Sequence, residues 1–153
     1  MPISLLAFKS SSATGRIRCL KADSKTEAEV MSVLNRFKEA VAKRDTTGAL
    51  ELFATDPDVL CMGSEAGELA VGKSELKALL KRVLSRPTAY YFEWRSYSVS
   101  STGSVSWATI DALVHAKGEG QETALPYRIT AVLERRSNKW LLMHYHGSEP
   151  AHR

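Results

Sequence analysis

The stretch Arg128-Ile129-Thr130-Ala131-Val132-Leu133-Glu134-Arg135-Arg136-Ser137-Asn138-Lys139-Trp140-Leu141-Leu142-Met143-His144-Tyr145-His146-Gly147-Ser148-Glu149-Pro150 consists of two apolar-rich runs joined by Ser137-Asn138. Apolar side chains at every second position suit a pleated strand with one covered face, and Ser-Asn is turn chemistry that folds one strand back onto the next. A long antiparallel hairpin is therefore predicted here. Working backward, Gly118-Glu119-Gly120 and Ser101-Thr102-Gly103 are turns of the same kind, and they divide the region into four strands: Ala89–Ser100, Ser104–Lys117, Gln121–Arg136 and Lys139–Gly147. Most exceed the average strand of ~5–6 residues, and antiparallel strands of that length curl, often around a bulge.

The residues ahead of this meander follow a helical period instead. Ser24-Lys25-Thr26-Glu27 has the capping-box form, in which the serine oxygen accepts an amide of the first turn while the glutamate reaches back. Val30, Leu34, Phe37 and Val41 then keep an apolar stripe at three- and four-residue spacing, with Lys25, Glu29, Lys38, Glu39 and Lys43 mostly off it. Asp45 caps a second, shorter helix through Gly48 to Phe53, stopped at Asp56-Pro57 because the residue before a proline is driven out of the helical region. Val59-Leu60-Cys61-Met62 is a short apolar run, and Gly63 to Gly67 returns it to Leu69-Ala70-Val71 as a hairpin. Ser74 caps a third helix carrying Leu76, Leu79, Leu80, Val83 and Leu84, which Pro87 closes. The order helix, helix, hairpin, helix, meander predicts an α+β domain: a cone of three N-terminal helices packed on a strongly curved antiparallel sheet. Its concave side encloses either a core or a pocket.

The 153 residues, 44% apolar and 25% charged, suit one compact core. A net charge of +4 and a pI near 9.1 invite a nucleic-acid or membrane partner, but the charge is unevenly spread. Lys9, Arg16, Arg18 and Lys21 fall in residues 1–22 without any acid, whereas in residues 23–153 the remaining Lys and Arg equal the 17 Asp and Glu in number. The division is thus a basic extension, 1–22, and a neutral domain, 23–153, with no nucleic-acid or membrane surface expected. Cys19 and Cys61 are too few for a disulfide framework and too far apart for a zinc or redox pair, which suits a reducing cytoplasmic setting. The acid-free extension leaves organelle targeting as the alternative. No apolar run reaches the ~20 residues that span a bilayer.

The order of elements, with the motif Arg128-x-Thr130 followed by Trp140-x-x-x-His144-x-His146-x-Ser148-x-Pro150, resembles the nuclear transport factor 2-like superfamily. More narrowly, it is similar to the SnoaL-like branch that includes the association domain of calcium/calmodulin-dependent kinase II. The resemblance covers about residues 25–150 and implies the cone fold. For function it implies only a range of isomerases, cyclases, dehydratases, binding proteins and oligomerisation modules, because function belongs to the site rather than to the fold. Where the kinase association domain carries a pocket arginine this chain has Ala131, a departure that speaks against a carboxylate-binding pocket. The steroid isomerases of the superfamily imply a base carboxylate with tyrosine and protonated-acid donors. None of Tyr90, Tyr91, Tyr97, Tyr127 and Tyr145 falls in a motif that maps onto them.

Strand alternation groups the candidate site residues. In Ser104–Lys117, Val105, Trp107, Thr109, Asp111, Leu113 and His115 share one face, and Ser106, Ala108, Ile110, Ala112 and Val114 share the other. A carboxylate between aromatic rings is suited to proton transfer, so Asp111 is the first candidate for a general base, with His115 and Trp107 beside it. Its bland alternative is a solvated residue on an outer face. In the last strand Trp140, Leu142, His144 and His146 are expected on one side and Leu141, Met143 and Tyr145 on the other; the two imidazoles are candidates for an acid and base pair. No metal or other cofactor is expected, since nothing supplies a third and fourth ligand at recognisable spacing. The resemblance implies instead a structural role for this histidine pair at a subunit interface. Arg128 is a candidate for an anionic ligand or for structural pairing, opposite in direction to Tyr127. Tyr91, Trp94 and Tyr127 complete the candidate ligand wall, although an aromatic set at strand spacing is more often core.

Two functions compete at this stage. One is a small-molecule-binding protein of the SnoaL-like type, an isomerase, cyclase or dehydratase acting on an apolar substrate by proton transfer. The other is a non-catalytic association module. Either is expected to form a homodimer or larger homo-oligomer, because Trp107, Ile129, Tyr145 and Val114 distribute apolar area over both sheet faces.

Overall fold

The structure is a computed structural model that describes residues 19–151. Helices α1 (Ser24–Ala42) and α2 (Thr46–Leu50) are followed by the short strands β1 (Leu60–Met62) and β2 (Leu69–Val71) and by helix α3 (Gly72–Leu84). The long strands β3 (Ala89–Thr102), β4 (Val105–Gly118), β5 (Gln121–Arg136) and β6 (Lys139–Ser148) complete the chain. With β1 and β2 they form one curved six-stranded sheet in the order β2-β1-β6-β5-β4-β3. The α+β cone is as the sequence predicts, with one correction: β1 runs parallel to β6, through the pairs Leu60 with His144, Cys61 with Tyr145 and Met62 with His146. Leu52–Ala54 extends this parallel alignment, since the Leu142 amide donates to the Leu52 carbonyl and the Ala54 amide to the Leu142 carbonyl. Long-range pairing of this kind leaves no local signal.

The helix starts also differ from expectation. Asp23, not Ser24, caps α1: its carboxylate accepts the Thr26 amide at 2.7 Å, and a carboxylate answers the positive helix end better than a hydroxyl. Asp45 caps α2 as expected, accepting the Gly48 amide. α3 begins at Gly72 rather than behind a Ser74 cap, and Glu75 reaches back to accept the Val71 amide at 2.9 Å. Gly72 adopts φ +79 against the Pro57 carbonyl, which a side chain would crowd.

The strand alternation resolves into an inner face toward the helices and an outer face away from them. On the inner side Val99, Ala108, Ile110, Ala112, Ile129, Ala131, Leu133 and Leu142 are buried against Val30, Leu34 and Phe37 of α1 and Leu76 and Leu80 of α3. The alanines at the centre let the helix layer approach closely, and the branched side chains around them fill the remaining space. Truncating one of the fully buried residues to alanine costs about 2–5 kcal/mol. Two bulges bend the sheet: one falls between Trp94 and Ser96 in β3, and the other leaves Met143 of β6 without a partner between Leu133–Leu142 and Val132–His144.

Most of the basic extension 1–22 lies outside the described residues, but its end does not. Leu20–Ala22 lines the edge of β3, with the Ala22 amide donating to the Val99 carbonyl and the Ser101 amide to the Leu20 carbonyl, and Ala22 is buried in the core. No helix among the described residues is long and apolar enough to cross a membrane.

Candidate functional site

The inner face does not close completely. Between α1, α3 and the inner side of the sheet is a cavity of about 270 Å³. Its apolar wall comes from Phe37 and Val41 of α1, Leu79, Leu80, Val83 and Leu84 of α3, and Phe92, Val114 and Leu125 of the sheet. Facing these are the polar groups of Cys61, Glu68, Tyr127 and Tyr145, with Arg86, Glu65, Tyr90 and Glu149 also among the lining. The apolar side is built by one stripe of α3 and so follows from its three- and four-residue spacing. The polar side is assembled from β1, the β1–β2 turn, β5 and β6.

Tyr145 is 5% exposed, and its hydroxyl is buried with no hydrogen-bond partner among the described residues. Leaving such a group unpaired costs about 1–3 kcal/mol, so an orphaned hydroxyl on a cavity wall marks a place for a partner supplied from outside. Burial holds the phenol well above its ordinary pKa, and burial likewise pushes Tyr127 up to about 12. The Cys61 thiol is also pushed up to about 12, by burial first and by the charge of Glu68 second. At neutral pH all three therefore keep their protons, and the two phenols are neutral groups able to donate or accept. Gly147 makes this arrangement possible, because a side chain there would overlap the Tyr127 ring.

Glu68 is a buried carboxylate on the same wall. Arg86 donates across 3.1 Å to Glu68 and across 3.1 Å to Glu65, tying the end of α3 to the β1–β2 turn. The Glu65 amide also donates to Glu68 at 3.2 Å, and Arg82 fixes the same turn through the Gly67 carbonyl at 2.7 Å. A carboxylate oriented in this way, two phenols and an apolar wall form a compact set for holding an organic molecule and moving a proton on it.

Of the candidate catalytic and ligand-binding residues, Tyr127 reaches this cavity, as do Phe92, Tyr90 and Tyr145, which the sequence offered only as an apolar wall and as hydroxyl donors without a motif. Asp111 is exposed on the outer face, opposite Arg128 in register, which is also exposed. The bland alternative of a solvated carboxylate on an outer face describes its surroundings. His144 and His146 also lie outward, and here the expected grouping needs correction. The bulge at Met143 reverses the alternation, so that Trp140 and Leu142 share the inner face with Tyr145 while the two histidines stand beside Leu60 and Met62 on the outer face. Trp107 is half-buried on that same outer face. Trp94 packs toward α1, where its indole donates to Asn35 at 2.8 Å and Lys38 lies over its ring.

Tyr91 and His115 do come together, but away from the cavity. Their rings stack at 4.3 Å, and His115 sits between Glu93 at 3.0 Å and Glu122 at 3.2 Å, with the Tyr91 hydroxyl on Glu122. Among the described residues no three His, Cys, Asp or Glu side chains are arranged to hold a metal ion.

The sequence pattern of the SnoaL-like domain matches residues 30–152, most of the chain. The chain belongs to the SnoaL-like domain family. No curated protein matches it. Solved structures similar to this SnoaL-like domain include a candidate dehydratase of the nuclear transport factor 2-like family from Streptomyces avermitilis, with TM-score 0.78 and 18% identity over 85% of this chain and 100% of that one. A nuclear transport factor 2-like superfamily protein from Salmonella enterica aligns with TM-score 0.74 and 20% identity over 86% and 95% of the two chains. A candidate calcium/calmodulin dependent protein kinase II association domain from Xanthomonas campestris gives TM-score 0.69 and 17% identity over 88% and 97%. At these identities the likeness establishes the fold.

Glu68, Arg86, Cys61 and Tyr145 are the residues of this SnoaL-like cavity that sequence reasoning missed. Tyr145 was concealed by the bulge, since strict alternation sends it away from Leu142. Glu68 did carry a signal: it is the acid that enters the apolar run Leu69-Ala70-Val71, directly after the glycine turn.

Proposed function

We propose that this SnoaL-like domain binds a small, largely apolar molecule in the cavity and moves a proton on it. The observation that carries the reading is the unpaired hydroxyl of Tyr145, buried on the wall of a cavity whose opposite wall is apolar. Tyr145 and Tyr127 hold an oxygen of the ligand, and as neutral phenols they stabilise negative charge that develops there. Glu68, kept in place by Arg86 and the Glu65 amide, receives the proton from the neighbouring carbon. That chemistry is common to isomerisation, cyclisation and dehydration; the Streptomyces avermitilis neighbour, described as a candidate dehydratase, is in keeping with it. Hydrogen exchange at the carbon beside the carbonyl of a bicyclic ketone such as 2-tetralone, followed by NMR in deuterated water, tests the step. Glu68→Gln is expected to slow exchange at least ~100-fold, the usual scale of a general base, while a wild-type rate no faster than buffer refutes catalysis.

We infer a second property for the outer face, where a specific observation favours it. Leu69 is 55% exposed and Val71 43% exposed, in register with Met62 and Leu60, and the row continues to His146 and His144. An apolar edge of this kind, continuous with half-buried Val132 and Trp107, suits a second copy of the chain. The histidine pair then serves the interface rather than the chemistry, and the Xanthomonas campestris neighbour described as a candidate association domain agrees with this. Sedimentation of Leu69→Asp/Val71→Asp as a monomer, against a wild-type dimer or larger species, is the expected result. A wild-type monomer at micromolar concentration contradicts it.

A further inference from the structure

The cavity is charged in a way that its apolar walls conceal. Among the described residues, three carboxylates, Glu65, Glu68 and Glu149, stand on its lining against a single guanidinium, Arg86, and no lysine or histidine is on it. The lining therefore carries two net negative charges in a domain whose residues 23–153 sum to zero. Arg86 is engaged by Glu65 and Glu68 at 3.1 Å each, whereas Glu149 has no ion pair among the described residues. A cleft with low-dielectric walls concentrates such a field rather than dispersing it.

The charge is graded along the cavity. Glu149 is exposed, the Glu65 side chain is 57% exposed and Leu125 is 37% exposed, so these mark the mouth. Tyr145 and Cys61 are buried and mark the deep end. Along the wall the rings of Phe92 and Tyr127 lie 5.5 Å apart, and Tyr90 is also on the lining. Aromatic faces beside carboxylates provide two independent attractions for a positive charge, cation–π and Coulombic, and both repel an anion.

We propose that the ligand of this cavity is an organic cation: an apolar body whose inner end meets Tyr145 and whose protonated amine sits at the mouth among Glu149, Glu65 and the aromatic rings. The assignment rests on the cavity-binding reading above and adds the charge of the ligand to it. Carboxylate-bearing molecules are repelled by the same field.

Three probes of one skeleton separate charge from shape: 4-phenylbutylamine, 4-phenylbutanol and 4-phenylbutyrate, titrated calorimetrically into the full chain at pH 7 and low salt. The amine is expected to bind at least ~10-fold more tightly than the alcohol, and the acid most weakly, from the combined Coulombic and cation–π attractions. Glu149→Gln is expected to narrow the amine-to-alcohol ratio at least ~3-fold, consistent with loss of one partly exposed charge. Val83→Trp, which fills the cavity from α3, is expected to abolish binding of all three. An alcohol or acid that binds as well as the amine overturns the charge assignment and leaves the cavity reading standing. Amine binding that survives Val83→Trp, or that ignores Glu149→Gln, places the cation elsewhere and overturns the assignment too. If none of the three binds, the cavity reading fails and takes this inference with it.

Discussion

The inner and outer faces of β4, β5 and β6 are made from alternate residues of the same three strands, yet they differ in almost every physical respect. Inward, Ala108, Ile110, Ile129, Ala131, Leu133 and Leu142 are buried, and beside them burial keeps the phenols of Tyr127 and Tyr145 protonated. Outward, Thr109, Asp111, Arg128 and Thr130 are exposed, and both histidines of the carboxyl-terminal motif stand beside them. The lesson is that chemically conspicuous residues need not make the site. Asp111 and the histidine pair attract attention because they are polar in apolar surroundings along the sequence. In space they lie on the outer face, away from the cavity, while a tyrosine between those histidines faces the cavity.

The contrast should appear first in stability. Leu142→Ala and Ile129→Ala, on the inner face, are expected to destabilise by about 2–5 kcal/mol in denaturant titrations, and Thr130→Ala, between them on the outer face, by no more than about 0.5 kcal/mol. Equal losses would erase the distinction between the faces. Gly147→Ala comes next, at about 1–3 kcal/mol, because the added methyl meets the Tyr127 ring and must displace it. A neutral outcome there would mean that Tyr127 does not cross Gly147.

A pH series sharpens the comparison through its sign. Cys61 rises from 9.0 to about 12 and Tyr127 from 10.0 to about 12 in the folded state, and Tyr145 also rises. Above the unfolded values the unfolded chain releases protons that the folded chain retains, so stability is intact below pH ~8.5 and falls as pH climbs through ~9 to 12. Unfolding temperatures measured from pH 8 to 11 should decline, less steeply in Tyr127→Phe. On the acid side the sign reverses: Arg136 holds Asp56 below its ordinary pKa by hydrogen bonding, so this surface pair supports the fold above pH ~4 and is lost below it. The smallest effect is expected for Asp111→Asn, an exposed outer-face position, in monomer stability and in cavity binding, within about 0.5 kcal/mol.

How much of this was legible depends on how local each determinant is. The four long strands and their turns follow from residues a few positions apart, such as Gly118-Glu119-Gly120, and the apolar stripe of α3 follows in the same way. Tyr127, Ile129, Ala131 and Leu133 could be grouped on one face because β5 keeps its period there. The bulge at Met143 breaks the period of β6, and nothing in Leu141-Leu142-Met143-His144 announces which residue will lose its partner. The parallel pairing of β1 with β6 joins Cys61 to Tyr145 across more than half the chain, so their meeting in one cavity wall is a product of tertiary structure alone. Glu68 and Arg86 are likewise brought together by the folding of α3 against the β1–β2 turn.

The proposed ligand binding depends most on the Tyr145 hydroxyl, and Tyr145→Phe removes it without changing the ring. Thermal unfolding of this variant without ligand, together with its affinity for 2-tetralone, tests the claim. An orphaned hydroxyl predicts changes of opposite benefit: the free variant gains about 1–3 kcal/mol of stability, as an unpaired buried group is deleted, while affinity for the ketone falls at least ~5-fold. A variant that is less stable than wild type, or that binds the ketone as tightly, would show that Tyr145 serves the fold and not a ligand.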